Sequence, residues 1–234
     1  MASAINQLSP GVTVTEYDET TSLAAVSTSA GGFAGDFMWG PVNVRTTLSD
    51  SLGLEDTFGK PVDSNYIDWF SVFNFLAYTS NVEVVRVVDA VARNASDAAP
   101  QIIHNADHFR EVISVGTPSA LFAAKYPGAL GNSLSVHIVD SANFATWEYA
   151  DLFDTAPGTT SAAAALGASN DEVHVVVVDT LGLFSGTPGS ALETYAYLSK
   201  AADGKDENNG PSFYMDVLNE QSQYVWSLKP ATNA

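Results

Sequence analysis

The sequence predicts a mixed fold: an α/β module first, a β-rich α+β module second, and an extended arm in front of both. Three observations support this. A strand, two helices and a second strand succeed one another in residues 31–92. Strand-like segments dominate residues 93–234, and residues 1–30 contain a strand without a hairpin partner. We therefore divide the chain into an arm with its tether (1–30), an α/β core module (31–92) and an outer module (93–234).

The leading strand is predicted to pair with another molecule. Its residues are Pro10, Gly11, Val12, Thr13, Val14, Thr15 and Glu16, in which valine and threonine alternate with period two. A Thr/Ser/Ala-rich stretch, residues 18–30, follows where a hairpin would need a turn. At roughly 3.3 Å per residue the first sixteen residues span about 50 Å, enough to add a strand to a neighbour's sheet. The alternative is a strand that joins its own domain's sheet after a long loop.

The core module is predicted to begin with a buried strand and a short helix. Residues 31–41 are apolar and rich in glycine, which suits a strand packed closely against its neighbours. Thr47 or Ser49 is expected to cap a helix that runs through Phe58. Gly59 is expected to end that helix in a left-handed conformation.

A longer helix and a second buried strand complete the predicted α/β layer. Ser64 or Asn65 is expected to open the helix, and residues 82–88, rich in valine, form the strand. Apolar residues spaced three and four apart predict one buried face on this helix. That face comprises Tyr66, Trp69, Phe70, Phe73, Leu76 and Ala77.

The outer module is predicted to be built mainly from strands. A boundary is expected at residues 89–100, where Ala, Asn, Ser and Asp interrupt any periodicity. The predicted segments are an amphipathic piece at 107–115, strands at 119–125, 133–140 and 173–178, a loop at 156–170, a polar turn at 201–210, an amphipathic segment at 213–218 and a strand that starts at 224–226.

The composition excludes several classes of function. The 234 residues include no cysteine, so disulfides, thiolate metal sites and a cysteine nucleophile are impossible. The net charge is −18, a field that repels phosphates, so we expect neither nucleic acid nor an anionic membrane as partner. No apolar run approaches the roughly 20 residues of a membrane span. No secretory signal is recognisable, which favours an intracellular origin.

Two glycine patterns resemble phosphate-binding loops only superficially. Gly53 and Gly59-Lys60 have the wrong spacing, and Pro61 stands where a phosphate loop needs serine or threonine. Gly31, Gly32 and Gly35 lack the dinucleotide-binding pattern, so close strand packing explains them better. No cofactor is predicted.

A histidine pair provides the alternative to a structural protein. His104 and His108 stand four apart beside Asp107 and Glu111, a spacing that on a helix suits a metal ion. Asn105 replaces the glutamate that a metalloprotease places after its first histidine, and no third histidine is evident. The start of a surface helix is therefore favoured, and an acidic hydrolase or metal-binding module is kept as the alternative.

The remaining polar candidates indicate no catalysis. His137 and His174 are expected at strand edges or half-buried positions. Residues 203–209 resemble a calcium loop only in composition, because Lys205 occupies a ligand position and no glutamate closes the site. A Gly-x-Ser-x-Gly motif is also absent from the sequence. We predict no catalytic, cofactor-binding or metal-binding residue.

Six segments follow one another in a fixed order: Ser9-Pro10-Gly11-Val12, Phe33-Ala34-Gly35 with Trp39-Gly40-Pro41, Thr57-Phe58-Gly59-Lys60-Pro61, Asn74-Phe75-Leu76 with Tyr78, Val84-Val85-Arg86-Val87-Val88, and Tyr126-Pro127-Gly128-Ala129-Leu130-Gly131-Asn132. Together and in this order they resemble the contractile-tail sheath proteins of myophages. The resemblance covers about residues 8–140 and continues more loosely through residues 173–226. Sheaths of type VI secretion systems and contractile bacteriocins have a similar architecture.

The resemblance implies a structural subunit of a virion tail, assembled in the host cytoplasm, without enzymatic activity. Its implied partners are other sheath subunits in a helical polymer, together with the tail tube and baseplate, and its implied action is collective shortening during infection. Members of the family usually continue for hundreds of residues, so we expect this chain to correspond to an N-terminal portion with an incomplete core. The short join at residues 93–105 implies a compact outer module. A β-rich adhesin on a virion surface is a third possibility.

Overall fold

The computed structural model describes residues 30–113, 116, 118–206, 208 and 210–231. Its strands are β1 (Gly31–Gly35), β2 (Arg45–Leu48), β3 (Val82–Arg86), β4 (Phe122–Ala124), β5 (Leu134–Val139), β6 (Glu172–Asp179), β7 (Ser190–Ser199) and β8 (Val225–Ser227). Its α-helices are α1 (Ser51–Phe58), α2 (Tyr66–Leu76), α3 (Ala106–Ile113), α4 (Ser161–Ala165) and α5 (Tyr214–Gln221). The fold is mixed α/β with several sheets, in agreement with the predicted class. In the described residues no helix has the length and apolar character needed to cross a bilayer.

The first sheet has the strand order β1-β3-β2. Strand β1 runs parallel to β3, with Phe33 opposite Val84, and α1 and α2 form the connection between them, as predicted. Strand β2 pairs antiparallel to β3 and was not predicted. It includes Thr47, which was expected to cap α1. The observed cap is Asp50, whose Oδ1 accepts a hydrogen bond from the Gly53 N–H at 2.8 Å.

The C-terminal end of α1 follows the prediction. Gly59 has φ 78°, in the left-handed region that a residue with a side chain adopts at a cost, and its N–H donates to the Glu55 carbonyl. The Trp69 indole donates in turn to the Gly59 carbonyl at 2.9 Å. This turn therefore joins α1 to α2.

The core beneath the sheet consists of Phe37, Leu48, Leu54, Phe58, Trp69, Val72, Val82 and Val84.

The predicted buried face of α2 was largely wrong. Of the six residues assigned to it, only Trp69 is buried, and Leu76 packs against the core from a partly buried position. Val72, outside the predicted stripe, is buried instead. The reason is that α2 is apolar around most of its circumference, so spacing alone does not select the face that contacts the sheet.

The second half of the chain contains an antiparallel sheet with the order β5-β6-β7. The central strand β6 is buried from Val173 to Asp179, and α5 packs on one face of the sheet. A two-stranded antiparallel sheet, β4 with β8, contacts α5 and lies over a smaller core around Ile103 and Trp226. This half contains the five strands β4–β8 together with the helices α3, α4 and α5.

Three local predictions differ from the structure. The first strand ends at Gly35, well before residue 41. The segment 156–170, predicted as a loop, contains α4, an alanine helix capped by Thr160, whose Oγ1 accepts from the Ala163 N–H at 3.1 Å. Helix α4 has no buried residue, so its sequence contains no apolar face from which the helix could be predicted. The third is the position of His174, which lies fully buried in the central strand rather than at an edge.

Candidate assembly surfaces

The predicted arm strand, residues 10–16, lies outside the described residues. The described residues begin at residue 30, and β1 starts at Gly31. The Gly31 Cα lies so close to the Phe75 ring of α2 that a Cβ at this position would collide with it. The start of β1 therefore lies beside the C-terminal end of α2. On the side of β1 away from β3, no strand lies among the described residues.

An exposed apolar surface covers the side of α2 that faces away from the sheet. We call it the outer α2 face, and it consists of Tyr66, Ile67, Phe70 and Phe73, whose exposed fractions are 52%, 65%, 44% and 38%. The Phe73 ring stacks on Trp69 at 5.2 Å, and the Phe70 ring meets Trp69 edge-on at 5.1 Å. The buried tryptophan thus holds both phenylalanine rings in place. The sequence signal for this face was the apolar character of α2 on all sides.

A buried arginine connects three of the segments that carry the family resemblance. The Arg86 guanidinium donates to the carbonyls of Phe37 at 2.7 Å, Gly40 at 2.8 Å and Pro127 at 2.7 Å. Burial lowers the pKa of Arg86 to about 10, while the nearby Asp36 carboxylate opposes that shift. Arg86 therefore joins the end of β3 to the loop after β1 and to Pro127 in the other half of the chain.

A buried carboxylate organises the turn between β6 and β7. Asp179 accepts hydrogen bonds from the hydroxyls of Ser133 and Ser185 and from the backbone N–H groups of Leu183, Phe184 and Ser185. Burial alone would raise the pKa of Asp179. The hydrogen bonds from these donors outweigh the effect of burial, so the pKa lies below its usual value. The arrangement ties the turn to the 3-10 helix Ala129–Ser133.

Lys125 is the buried amine that most resembles a reactive group. Burial lowers its pKa to about 8, and the Glu193 carboxylate opposes the shift. Its Nζ donates to the Ser222 carbonyl at 2.7 Å and lies 3.4 Å from the centroid of the Trp226 ring. It borders a cleft of about 500 Å³. Both contacts hold the ammonium group in place, so we interpret Lys125 as a link between β4 and the end of α5.

The histidine pair begins a helix, as the favoured interpretation predicted. Asn105 accepts the His108 N–H through its Oδ1 at 2.9 Å and donates through its Nδ2 to the Val42 carbonyl at 3.0 Å. The His108 Nδ1 accepts the His104 backbone N–H at 3.2 Å. Burial, and then the nearby His108, lower the pKa of His104. Across the described residues no three His, Cys, Asp or Glu side chains gather as a metal site, so the metal-binding alternative gains no support.

The other sequence candidates have structural roles. Gly31 and Gly35 allow close packing, against Phe75 and Asp68, whereas a Cβ at Gly32 would meet open space. Gly53 lies inside α1, and Lys60 pairs with Glu55 at 3.5 Å.

Two further candidates lie in the second half of the chain. The His137 Nε2 lies 3.0 Å from the Ser135 hydroxyl. The Asp206 Oδ1 accepts the N–H groups of Asn208 and Gly210, which describes a turn held by its own side chain.

Comparison with known proteins identifies relatives of one kind. The tail sheath protein of Salmonella phage ViI is 31% identical over 191 residues, which cover 81% of this chain and 28% of that protein. The tail sheath protein of Enterobacteria phage T4 is 34% identical over 96 residues, which cover 41% of this chain and 15% of that protein. The chain spans less than a third of the length of the curated relatives it matches. No family model matches the chain.

A solved structure of a sheath tail protein from Listeria innocua also matches. It is 12% identical, covers 72% of this chain and 26% of that protein, and has a TM-score of 0.37. A score of this size carries no argument about the fold. The sequence relationship to the phage proteins is therefore the finding that bears on function.

Proposed function

We propose that this chain is part of a structural sheath subunit, because it belongs to the family of tail sheath proteins of contractile-tailed phages. In this proposal the subunits polymerise helically around a tail tube, and the polymer shortens to drive the tube into the host envelope. The observation that carries the proposal is the 31% identity over 191 residues with the phage ViI tail sheath protein. The resemblance stated from the sequence is confirmed by these relatives.

The proposed partners are further sheath subunits, and the tail tube and baseplate follow from the family. The proposed location is the virion tail, after assembly in the host cytoplasm. We propose no enzymatic activity. The buried polar groups support this proposal, because Arg86, Asp179 and Lys125 all hold the fold together through the hydrogen bonds that they make.

The proposed link between subunits is the arm. Residues Val12–Glu16 would add a strand to a neighbour through main-chain hydrogen bonds, each contributing about 0.5–1.5 kcal/mol net. One such junction is weak, but a subunit joined to several neighbours gains avidity. The tether, residues 20–30, would allow the folded bodies to rotate while the strand stays paired.

Negative-stain microscopy of the purified protein tests the proposed function. Striated tubular polymers are the expected result, and they should disappear on deletion of residues 1–17 while the tryptophan fluorescence of the folded body stays unchanged. A finer pair of variants is Thr13→Pro and Thr20→Pro, which make the same change in the arm strand and in the tether. Proline removes a ladder donor, so T13P should block polymerisation and T20P should not. Tubes of normal length from the arm-deleted chain would refute the arm mechanism.

A further inference from the structure

A short segment rich in aromatic rings lies over one face of the β5-β6-β7 sheet. We call it the strap, and it consists of residues 143–155, which include two 3-10 turns. Helix α5 packs against Val173 and Val175 on the opposite face of the sheet. Because side chains alternate along a strand, His174 points to the face that the strap covers, and its ring stacks on Phe153 of the strap at 4.3 Å.

The buried ring of His174 attaches the strap to the sheet. Its Nε2 lies 2.9 Å from the Thr155 carbonyl oxygen at the end of the strap, and its Nδ1 accepts the Tyr197 backbone N–H at 3.0 Å. Besides Phe153, the rings of Phe144 and Tyr197 meet it edge-on, at 5.6 and 4.7 Å. His174 therefore joins the strap, β6 and β7 at one point.

The two hydrogen bonds of His174 determine which ring nitrogen carries hydrogen. A carbonyl only accepts, so Nε2 is the donor to Thr155, and a backbone N–H only donates, so Nδ1 carries no hydrogen. A protonated ring has an N–H group on both nitrogens. The second N–H would face the Tyr197 N–H, so protonation replaces a hydrogen bond with a contact between two donors.

The Tyr197 N–H belongs to an irregular part of β7. The pairing of β6 with β7 shifts register between Val173 and Val175, so Ala196 and Tyr197 both lie opposite His174 and form a bulge. Tyr197 has φ 55°, a conformation that costs free energy for a residue with a side chain. The hydrogen bond to His174 offsets part of that cost, so its loss would loosen the bulge together with the strap.

The acids near the strap have partners of their own or face solvent. Three acids of the strap are exposed, and they are Glu148, Asp151 and Asp154. Glu172 of β6 accepts the Gly158 N–H at 2.7 Å, and Asp140 after β5 accepts the Asn143 N–H at 3.2 Å. Among the described residues no ion pair involves His174. A positive charge on this ring would therefore be buried without a counter-ion.

A second histidine beneath the strap responds to acid in the same direction. The His137 ring of β5 contacts Tyr149 of the strap, with 4.9 Å between the ring centroids. Burial lowers the pKa of His137, and the nearby Glu148 opposes that shift. The folded state thus favours the uncharged His137 ring, whose contribution is complete above about pH 6.5 and is lost as the pH falls through the lowered pKa.

We propose that the strap is an acid-released cover of the sheet: protonation of His174 detaches residues 143–155 while β6 and α5 stay in place. The inference goes beyond the proposed function, because it concerns a single subunit and does not depend on polymerisation.

Hydrogen–deuterium exchange of the purified chain tests the inference, with labelling times adjusted for the pH dependence of intrinsic exchange. The N–H groups of Trp147, Ala150, Leu152 and Phe153 donate to carbonyls within the strap and report its closure. A free histidine takes up its proton near pH 6.5, so a strap that closes only on neutral His174 should open about thirtyfold more at pH 5 than at pH 7.5. The amides of α5 should keep their protection within about twofold.

A variant of the histidine separates its protonation from that of other groups. His174→Gln keeps an N–H donor for Thr155 and takes up no proton in this range, so we expect it to reduce the ratio of strap opening between the two pH values at least about fivefold. His104→Gln is the matched control. It removes a histidine at the start of α3, outside the strap, and should keep the full pH dependence.

Three results would overturn the inference. They are strap protection that is equal at pH 7.5 and pH 5, equal loss of protection in the strap and α5, and full pH dependence of the strap in H174Q. The first two are measured on the unmodified protein, so they decide the matter even where the variant folds poorly.

Discussion

Single polar residues carry much of the long-range organisation of this protein. Asn94, placed by sequence in an unstructured boundary, is fully buried and accepts the Ile103 N–H at 2.7 Å. Its amide donates to the Ile103 and Ala124 carbonyls. Arg86 and Lys125 act in the same way, by donating to backbone carbonyls far away in sequence. Because a buried polar group without a partner is costly, each of these residues fixes the segments around it.

Arg86→Met is expected to lower the free energy of unfolding by about 2–4 kcal/mol, because three buried carbonyls lose their donor. Arg86→Lys should recover part of this loss, since an ammonium group cannot reproduce the planar fork. Urea denaturation measures the effect. Arg45→Met is the control, because Arg45 is exposed and pairs with Glu83 at 3.3 Å, a surface contact that contributes about 1 kcal/mol or less. Equal losses in R86M and R45M would contradict the proposed role.

The pKa of Asp179, lowered by its hydrogen bonds, predicts how stability depends on pH. The folded state favours the charged carboxylate, so its contribution is complete above about pH 4 and is lost as pH falls through the lowered pKa. Asp179→Asn should cost about 1–3 kcal/mol at pH 7, and the difference from the unmodified protein should shrink below about pH 4. Denaturation at pH 7, 4 and 3 measures this. Asp154→Asn removes one exposed charge as the control, and a pH-independent difference for D179N would refute the prediction.

At the scale of elements, the contact of β1 with α2 depends on the absence of a side chain. Phe75 packs over Gly31 and Asp68 over Gly35, so at these two positions no side chain of β1 separates the strand from the helix. The same contact orients α2, which directs Trp69 and Val72 to the sheet and leaves Phe70 and Phe73 outside. The glycines of β1 thus contribute to which side of α2 is exposed.

Gly31→Ala and Gly32→Ala form a matched pair that tests this packing. A Cβ at Gly31 meets the Phe75 ring, so the helix must shift, and we expect a loss of about 1–3 kcal/mol in the free energy of unfolding. A Cβ at Gly32 meets nothing within 4 Å, so the change should be within about 1 kcal/mol of zero. Thermal and urea denaturation compare the two. A greater loss for G32A than for G31A would contradict the described packing.

For the whole molecule, charge is the dominant property. Nine basic and 27 acidic residues give every copy the same sign of field, so the proposed polymerisation would have to overcome repulsion between subunits. Short apolar contacts and main-chain pairing are the interactions that this repulsion opposes. If this repulsion between subunits opposes polymerisation, it should be strongest at low ionic strength, where few ions screen the charges.

We expect polymer yield to rise as sodium chloride increases from 10 to 150 mM, because the screening length falls from about 30 to about 8 Å. The fraction of protein that pellets at a fixed concentration measures it. A variant with two exposed acids neutralised, Asp151→Asn with Asp154→Asn, should polymerise at lower salt than the unmodified protein. Polymers that dissolve as salt rises across this range would show that ion pairs, and not apolar contacts, hold the copies together.

Local patterns in the sequence were sufficient for much of the fold. Glycine conformation predicts the end of α1 at Gly59. Periodicity predicts the connection from β1 through two helices to β3, and the run of valines predicts the buried strand β6. The ordered motifs also pointed to the sheath family, and the relatives confirm that resemblance. These signals are local, because each depends on residues a few positions apart.

The tertiary structure alone decided which apolar side of α2 is buried, that Thr47 belongs to a strand, and that Arg86 reaches Pro127. A helix that is apolar on all sides satisfies its periodicity with several orientations, and its packing against the sheet and the glycines of β1 selects one. Arg86 and Pro127 are 41 residues apart, so no local pattern relates them. Contacts of this kind depend on how elements pack, which is why sequence spacing predicts the elements and the packed structure determines the exposed surfaces.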